Sequence, residues 1–311
     1  MIDINATDFI QSFDMKRATI GLVGHGFVGR AIDAFFRDEN GQPKCGKILI
    51  NDKAKPELST LEEVVRESEV IFVAVPTPMR KDGSCYTGFV EEVLGHINVT
   101  AKEMQRNLDS FVVVVKSTVY PGFTEDMQNR FLPMRVCFSP EFLTEKNSVH
   151  DFKTTNRIIV GGDTEDALVV CKYFAEADRP RVDDGRRVIL ATDSTTAEMV
   201  KLYANGMLTA KVMFSNEVYQ VCEKLGVKYD EVRLMACLDP RIGAGHTMVP
   251  GPDGSLGYGG HCFPKDIQNL RAAARELGVA ERMLTAIIDR NEELRQDKDW
   301  EKMKDRAVTD N

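Results

Sequence analysis

Short apolar runs rich in β-branched residues alternate with amphipathic segments, and this alternation constrains the fold more than any other feature of the chain. Seven runs are predicted strands: 18–23, 47–52, 70–75, 111–117, 135–140, 157–162 and 187–192. Helical patterns lie between them, for example at 28–38, 61–68 and 124–131. Apolar strands separated by helices indicate a parallel sheet covered on both faces. We therefore predict a doubly wound α/β domain over residues 1–192.

The pattern changes after residue 192 and predicts an all-α domain over residues 193–311. Residues 195–226 keep helical periodicity, with Thr195 and Glu198 resembling a capping box and Gly226 as a stop. A helix of that length spans about 45 Å at ~1.5 Å per residue, enough to link two domains and serve as a dimer interface. Further helices are predicted at 228–238, 266–277 and 280–297, and residues 301–311 as a frayed polar tail.

Composition excludes several classes of protein. The 311 residues carry a net charge of −8 and 43% apolar residues, which is typical of a soluble globular protein without affinity for nucleic acid or anionic membrane. The longest apolar runs are too short to cross a bilayer, and the N-terminus lacks a signal-peptide pattern. The seven cysteines form no CxxC pair, which favours reduced thiols in the cytoplasm over disulfides or a metal site.

A glycine-rich turn, Gly24-His-Gly-Phe-Val-Gly29, follows the first strand and opens a helix. Glycines there permit a tight turn and let a pyrophosphate approach the free N–H groups of the helix N-terminus, so the domain is predicted to be Rossmann-like. The second strand ends in Asp52, which suits a ribose with two free hydroxyls and favours NAD over NADP, although Lys53 adjoins it. The predicted contacts are Gly24, Gly26, Phe27, Val28, Gly29 and Asp52. The alternative is an ordinary tight turn.

Three further motifs follow strands and are predicted to meet at the carboxyl edge of the sheet, where ligands bind in open α/β folds. They are VPTP (75–78), STVYPG (117–122) and SPEFLTE (139–145). Proline-bearing turns and a solvated acidic turn are the alternatives. On the long helix, Lys201 and Asn205 are four residues apart and share a face, unless Lys201 extends to solvent.

The loop 239–262 is the longest irregular segment, and such loops are usually functional. It ends in GYGGHCFPKD (257–266), where glycines precede Cys262 and a predicted helix follows it. A thiol near the positive end of a helix is a candidate nucleophile.

Together these motifs resemble the UDP-glucose/GDP-mannose dehydrogenase family. The matching segments are GLVGHGFVG, VPTP, KSTVYPG, SPEFLTE, AEMVKLYAN, NE, DPRIG and GYGGHCFPKD, in the family's order and spacing. The resemblance implies oxidation of the primary alcohol of a nucleotide sugar, most simply UDP-glucose, to a carboxylate in two hydride transfers to NAD⁺. Cys262 would capture the intermediate aldehyde as a thiohemiacetal, and a thioester would follow.

The resemblance also implies roles for individual residues. Lys201 and Asn205 would stabilise negative charge on the reacting oxygen, Asp266 would act with the catalytic water, and Thr118 and Glu141 would hold that water and move protons. Pro76, Thr77, Thr118 and Glu145 would line the cofactor. Phe142, Leu143 and Thr144 would cradle the substrate with Glu141, Tyr258 and Gly259, and Arg241 would reach it from a neighbouring subunit, which implies a homodimer through helix 195–226.

Two departures separate the chain from the family pattern. Lys146-Asn147-Ser148 follows Glu145 where the family usually has glycine. The chain also ends about where the family's third, UDP-binding domain would begin, and the loop 243–258 is a candidate partial replacement. Two other functions are a non-catalytic or regulatory NAD-binding dimer and a two-electron dehydrogenase of the β-hydroxyacid type, which has the helix Lys-x-x-x-Asn but no nucleophilic cysteine.

Overall fold

The computed structural model describes residues 2–3 and 14–311. The chain forms two compact units. The first comprises residues up to Thr77 together with Thr87–Lys201, and the second comprises Pro78–Tyr86 and Leu202–Asn311. No helix in the described residues is both long enough and apolar enough to cross a membrane.

An eight-stranded sheet occupies the first unit. Its strands are β1 (Ile2–Asp3), β2 (Thr19–Val23), β3 (Lys47–Asn51), β4 (Val70–Val73), β5 (Val112–Val115), β6 (Arg135–Phe138), β7 (Arg157–Gly161) and β8 (Val188–Thr192). Their spatial order is β1-β8-β7-β6-β5-β4-β2-β3. All seven predicted strands are therefore present, and β1 is an addition that no local pattern predicts.

The predicted α/β fold with a mostly parallel sheet is confirmed, and two strand pairs depart from the parallel direction. β1 pairs antiparallel with β8, and β6 pairs antiparallel with β7 through Phe138 and Gly161. The remaining pairs are parallel. A buried apolar strand has much the same composition in either direction, so its sequence does not encode direction.

Helices cover the sheet of the first unit. They are α1 (Phe27–Phe35), α2 (Leu61–Glu67), α3 (Gly88–Glu103), α4 (Phe123–Phe131), α5 (Ser148–Thr154), α6 (Thr164–Ala177) and α7 (Arg179–Asp183). Every residue of β4 and β5 is buried, as expected for strands between two helical layers. Burying each large apolar side chain contributes roughly 1.5–3 kcal/mol, so these strands fix the sheet edge on which the polar motifs lie.

The long predicted helix is α8 (Ser194–Leu225), 32 residues long. The predicted capping box at Thr195 was wrong. Asp193 Oδ1 instead accepts from the backbone N–H of Thr196 at 2.7 Å. Glu198 is almost fully buried, and its carboxylate accepts from Gly122 N (2.6 Å) and Thr124 N (2.9 Å). The acid thus holds the start of α4 rather than the start of its own helix.

Three more helices follow α8 in the second unit: α9 (Tyr229–Ala236), α10 (Cys262–Glu276) and α11 (Arg282–Leu294). A 3₁₀ helix, Asp299–Lys302, precedes the C-terminus. The predicted frayed tail is wrong, because Met79 N donates to Ala307 O (2.8 Å) and Thr309 N donates to Met79 O (2.9 Å). Backbone pairing with a segment far away in sequence orders these residues, and local composition carries no signal for it.

Candidate active site

The glycine turn between β2 and α1 has the geometry of a dinucleotide site. Gly24 has φ of 92°, and a Cβ there would lie 2.4 Å from Ala74 O. A Cβ on Gly29 would lie 2.1 Å from Gly24 O, so both positions require glycine. A Cβ on Gly26 would meet nothing within 4 Å. Gly26 is thus open outward at the N-terminus of α1, where a pyrophosphate can approach backbone N–H groups.

Asp52 lies beside this turn at the end of β3. Its Oδ2 accepts from His25 N at 2.6 Å, and its Oδ1 accepts from Ala54 N at 2.8 Å. Lys55 Nζ donates to His25 O (3.0 Å) and lies 3.1 Å from His25 Nδ1. Burial, followed by the charge of Lys55, lowers the pKa of His25. The Asp52 carboxylate is therefore held in place beside the glycine turn, while Lys53 is exposed.

The motifs after β4 and β5 lie together because those strands are parallel neighbours. Thr77 and Thr118 are both buried, whereas Pro76 is exposed. Ser117 Oγ donates to Val75 O at 2.6 Å and joins the two strand ends. The structure thus confirms that these motifs share one edge of the sheet.

A buried ion pair joins α8 to the residues after β6. Lys201 Nζ donates to Glu141 Oε1 (2.8 Å) and to Glu141 O (2.6 Å). Glu141 Oε2 accepts from Leu143 N at 2.7 Å. The two side chains are 3% and 6% exposed, so Lys201 does not extend to solvent. A pair this deeply buried is costly to assemble, and removing one partner leaves an unpaired charge.

Lys116 is a second buried lysine beside this pair, and sequence reasoning assigned it no role. Its Nζ donates to Ser139 Oγ (3.0 Å) and Pro140 O (3.2 Å), the two residues before Glu141. Burial lowers the pKa of Lys116 to about 7; Glu141 opposes this shift and Lys201 adds to it. The available signal was a lysine at the end of an otherwise apolar strand.

The segment from Phe142 to Glu145 leads from the sheet edge to α5. Leu143 is buried, and the Arg157 guanidinium lies 4.2 Å from the centre of the Phe142 ring. Thr144 and Glu145 are exposed. Thr144 N and Oγ1 both donate to Asp151 Oδ2, at 2.7 and 2.5 Å. An acid of α5 thus anchors the segment two residues before Lys146, the position at which the family pattern usually has glycine.

In the second unit, Cys262 is the first residue of α10. Asp266, one turn later, is 1% exposed, and its Oδ2 accepts from Asn205 Nδ2 at 2.6 Å. Lys265 Nζ donates to Asp266 Oδ1 at 2.5 Å. Burial lowers the pKa of Lys265, but the charges of Asp266, Cys262 and Cys85 and the Asp266 hydrogen bond outweigh it, so the pKa is raised. Lys265 is therefore a charged group close to the thiol.

Side chains from three other elements hold the glycine-rich turn before Cys262. Asn216 Oδ1 accepts from Gly257 N (3.0 Å), and Asn291 Oδ1 accepts from Tyr258 N (2.8 Å) while its Nδ2 donates to Tyr258 O (3.1 Å). Asp299 accepts from Gly260 N at 3.0 Å. A Cβ on Gly259 would lie 2.4 Å from Arg295 Nη2. The glycines thus allow close packing of the backbone against these polar groups.

Comparison with known proteins places this arrangement in a family. Residues 47–176 match the model of the UDP-glucose/GDP-mannose dehydrogenase family NAD binding domain, and residues 195–293 match the model of its central domain. The chain belongs to the UDP-glucose/GDP-mannose dehydrogenase family. The first match begins at Lys47, so the glycine turn at 24–29 lies outside it and is supported by its own geometry.

Individual relatives agree with this family. The chain is 30% identical over 308 residues to UDP-glucose 6-dehydrogenase AglM of Haloferax volcanii, covering 88% of this chain and 69% of the relative. It is 31% identical over 254 residues to the putative UDP-glucose 6-dehydrogenase YtcA of Bacillus subtilis, covering 78% and 53%. The solved UDP-glucose dehydrogenase of Pyrobaculum islandicum has a TM-score of 0.76 and 26% identity over 91% of this chain and 69% of that one. The chain therefore spans about half to two thirds of the length of these relatives.

Membership in this dehydrogenase family makes NAD the cofactor of the first unit, and the residues there fit it. Gly26 leaves an open approach to the N-terminus of α1, and Asp52 presents its carboxylate beside it. Arg241, by contrast, lies at the surface with its side chain 87% exposed and paired with Asp239. Its predicted place in a substrate site depends on a neighbouring subunit.

Proposed function

We propose that this family member is an NAD-dependent nucleotide-sugar dehydrogenase that oxidises the sugar 6-hydroxymethyl group to a carboxylate. UDP-glucose is the first substrate to test, and other UDP- or GDP-sugars are alternatives. The observation that best supports this proposal is the position of Cys262 at the N-terminus of α10. Lys265 and a buried Asp266, which accepts a hydrogen bond from Asn205, follow it on the same helix. Two-electron alcohol oxidation needs no such thiol, whereas oxidation to an acid gains from a covalent intermediate.

Cofactor binding is assigned to the first unit. The N–H groups after Gly24 and at the start of α1, including Phe27 and Val28, would take the pyrophosphate, and Asp52 the ribose. Pro76, Thr77, Thr118 and Glu145 would line the cofactor near the sheet edge. When bound, NAD⁺ supplies the acceptor for the two hydrides that oxidation of an alcohol to an acid releases.

The first oxidation is assigned to the polar groups around Lys201. As the hydroxyl proton leaves and negative charge gathers on the sugar oxygen, the ammonium of Lys201 and the amide of Asn205 would stabilise it. A fixed cation aimed at developing charge is commonly among the largest contributions to catalysis. Thr118 and Glu141 would hold a water molecule and move protons through it.

The second oxidation is assigned to Cys262. Its thiolate would attack the aldehyde carbon, forming a C–S bond while the carbonyl π pair moves to oxygen. Loss of hydride from that carbon restores the C=O bond and leaves a thioester. Water, directed by Asp266, would then add to the thioester, and the C–S bond would break to give the carboxylate and the free thiol. Tyr258 and Gly259 would contact the sugar, and Phe142, Leu143 and Thr144 the pyrophosphate.

We also propose that the chain is a homodimer formed through α8. Its exposed large apolar side chains are Met199, Tyr203, Met207, Phe214, Val221 and Leu225. At about 100° per residue they fall within roughly 80° of one another, and Lys201 and Asn205 lie on the opposite face. In a dimer, the face opposite the buried Lys201 would be covered, and Arg241 would be presented to the partner's substrate.

The two units correspond in this proposal to an NAD-binding domain and a substrate and dimerisation domain. A cytoplasmic location is consistent with seven free cysteines, and the net charge of −8 gives no general attraction for nucleic acid. No group of three potential ligands among the described His, Cys, Asp and Glu side chains is placed to hold a metal ion.

The decisive experiment incubates the protein with NAD⁺ and a panel of UDP- and GDP-sugars while NADH absorbance is followed. The proposal predicts turnover with at least one sugar, with two NADH formed per acid. NAD binding by calorimetry without turnover on any sugar would favour the regulatory dimer instead. One NADH per product would favour a two-electron dehydrogenase.

A further inference from the structure

The residue before Cys262 is a histidine that contacts the reacting sulfur. His261 Nε2 lies 3.4 Å from Cys262 Sγ, within hydrogen-bonding distance for sulfur. His261 is buried, with 7% of its surface exposed, and its side chain does not cap α10. A buried imidazole in contact with a thiol has one obvious chemical use, which is to accept the thiol proton.

We propose that His261 is a catalytic residue that takes the proton of Cys262 and so generates the nucleophilic thiolate. The S–H bond breaks, its electron pair stays on sulfur, and the proton moves to Nε2 to give an imidazolium. When the thioester is hydrolysed, the departing sulfur takes the proton back and the pair returns to its starting state. The inference rests on the proposed function of Cys262 as nucleophile.

The surroundings of the pair favour this charge separation. Cys262 occupies the N-terminus of a helix of 15 residues, where partial positive charge stabilises a thiolate. The charged and titratable groups nearest in the fold are the following: Lys265 and Asp266 follow Cys262 on α10, Asp299 binds the N–H of Gly260 and pairs with Arg295, and Cys85 of segment 78–86 interacts with Lys265. Lys265 interacts electrostatically with Cys262, while Asp266 neutralises part of its charge and Asp299 is paired with Arg295.

The backbone is built to keep the two side chains together. His261 and Cys262 directly follow Gly260, whose N–H donates to Asp299, and Tyr258 is held by Asn291 on both its N–H and its C=O. Because the turn is fixed from outside, the imidazole and the thiol do not depend on substrate to meet. The thiolate should therefore be present in the free protein.

The test measures the rate at which iodoacetamide alkylates Cys262 as a function of pH, in the full chain without substrate, with the modified peptide quantified by mass spectrometry. Peptide resolution separates Cys262 from the other six cysteines, five of which are buried. The inference predicts a midpoint in the native chain clearly below the value of about 8.5 for a free thiol. A native midpoint at or above that value overturns it, with no variant required.

The matched variant is His261→Gln, which keeps a polar side chain but cannot hold the proton. It should raise the midpoint toward about 8.5 and slow alkylation near neutral pH, on the order of tenfold for each pH unit by which the midpoint rises. His96→Gln, on the exposed surface of α3, is the control and should leave the curve unchanged. If His261→Gln fails to fold, the same alkylation curve is measured for His261→Asn, and the midpoint of the native chain tests the inference independently of any variant.

The outcomes separate this inference from the proposed function. If His261→Gln leaves the midpoint unchanged while Cys262→Ser abolishes acid formation, the role of His261 is wrong and the covalent route stands. If the midpoint rises but Cys262→Ser still forms acid at the native rate, the thiolate exists and the covalent route is wrong.

Discussion

The two clusters of polar residues differ in what holds them. In the first unit, Glu141 follows β6 by three positions, and the sheet edge itself brings it to Lys201. In the second unit, Cys262 ends an irregular loop, and side chains hold the turn before it. Those side chains are Asn216, Asn291 and Asp299, which lie 41, 33 and 39 positions away from their backbone partners. One cluster depends on secondary structure, and the other depends on distant hydrogen bonds.

This difference predicts that the clusters respond differently to substitution. A sheet that is buried on both faces keeps its backbone in place when one polar contact at its edge is lost. The effect of such a substitution should therefore be electrostatic and confined to the neighbouring side chains. A turn held by a few side chains loses its geometry when one of them is removed, so damage should reach Cys262 indirectly. Substitutions in both regions test this contrast, from the largest expected effect to the smallest.

Lys201→Met should have the largest effect. It leaves the buried Glu141 carboxylate without its cation, which costs about 3–5 kcal/mol of unfolding free energy when one partner of a buried pair is removed. Activity should fall by a factor of about 10² or more, because the cation proposed to stabilise the reacting oxygen is lost. Denaturant unfolding and NADH formation measure the two effects. Lys224→Met, exposed on the same helix, should change neither, and a stable Lys201→Met protein would contradict the account.

Asn291→Ala should disrupt the second cluster at a distance. It removes both hydrogen bonds to the Tyr258 backbone, leaving buried groups unpaired at about 1–3 kcal/mol each. Since Asn291 positions the turn, kcat and the rate of Cys262 alkylation should both fall while NAD affinity stays unchanged. Asn40→Ala, in an exposed loop, is the control. If Cys262 of the Asn291→Ala variant is alkylated at the native rate, the turn keeps its geometry without Asn291 and the prediction is wrong.

Gly257→Ala and Gly26→Ala form a matched pair across the two regions. A Cβ on Gly257 would lie 2.4 Å from Asn291 Oδ1 at a residue with φ of 73°, so this variant should lose stability by roughly 1–3 kcal/mol. A Cβ on Gly26 would meet nothing within 4 Å, so that variant should stay stable but bind NAD more weakly. Thermal unfolding and calorimetry separate the two. Equal destabilisation by both would contradict the contrast.

Lys116→Met should have the smallest effect at neutral pH. Burial lowers the pKa of Lys116 to about 7 in the folded chain, whereas an unfolded chain has the ordinary lysine pKa of about 10.4. Between these two pH values Lys116 is protonated in the unfolded chain and largely deprotonated in the folded chain. In that window stability should fall as pH decreases and rise as pH increases, by up to about 1.4 kcal/mol per pH unit from this residue. Below it, both states carry the proton and the slope vanishes.

The measurement compares unfolding free energy against pH for the native chain and the Lys116→Met variant, since subtraction cancels all other titrating groups. The native chain should gain stability relative to the variant as pH rises through the window. A flat difference would show that Lys116 remains protonated, and the sheet edge would then carry a second permanent cation.

Local patterns predicted the parts of the fold that local forces determine. The seven strands, α8 and the glycine turn were recognisable because apolar periodicity and glycine placement are local signals. The antiparallel pairing of β7 with β6 and the order of the C-terminal residues could not be recognised in this way, because both depend on pairing with backbone that is distant in sequence. The same limit explains the site: Asn205 and Lys201 could be placed on one helical face, but Asn291 and Asp299 carry no motif that links them to Cys262.

Buried polar residues whose partners lie far away in sequence are the other group for which the sequence predicted no role or a wrong one. Lys116, Glu198 and Arg295 are all buried and bind backbone or carboxylate groups. Each looks in sequence like an ordinary charged residue of a strand end or helix. Their burial follows from three-dimensional packing alone, so the positioning residues of the site emerged only from the structure.

The central claim is that Cys262 forms a covalent bond to the substrate, and Cys262→Ser tests it most directly. Once the panel of nucleotide sugars has given a substrate, acid formation is compared between the native chain and the variant, both checked for folding and NAD binding. A serine hydroxyl is far less acidic than a thiol and cannot form the thioester, so acid formation should fall by a factor of about 10² or more. Acid formation at the native rate by Cys262→Ser would contradict the account.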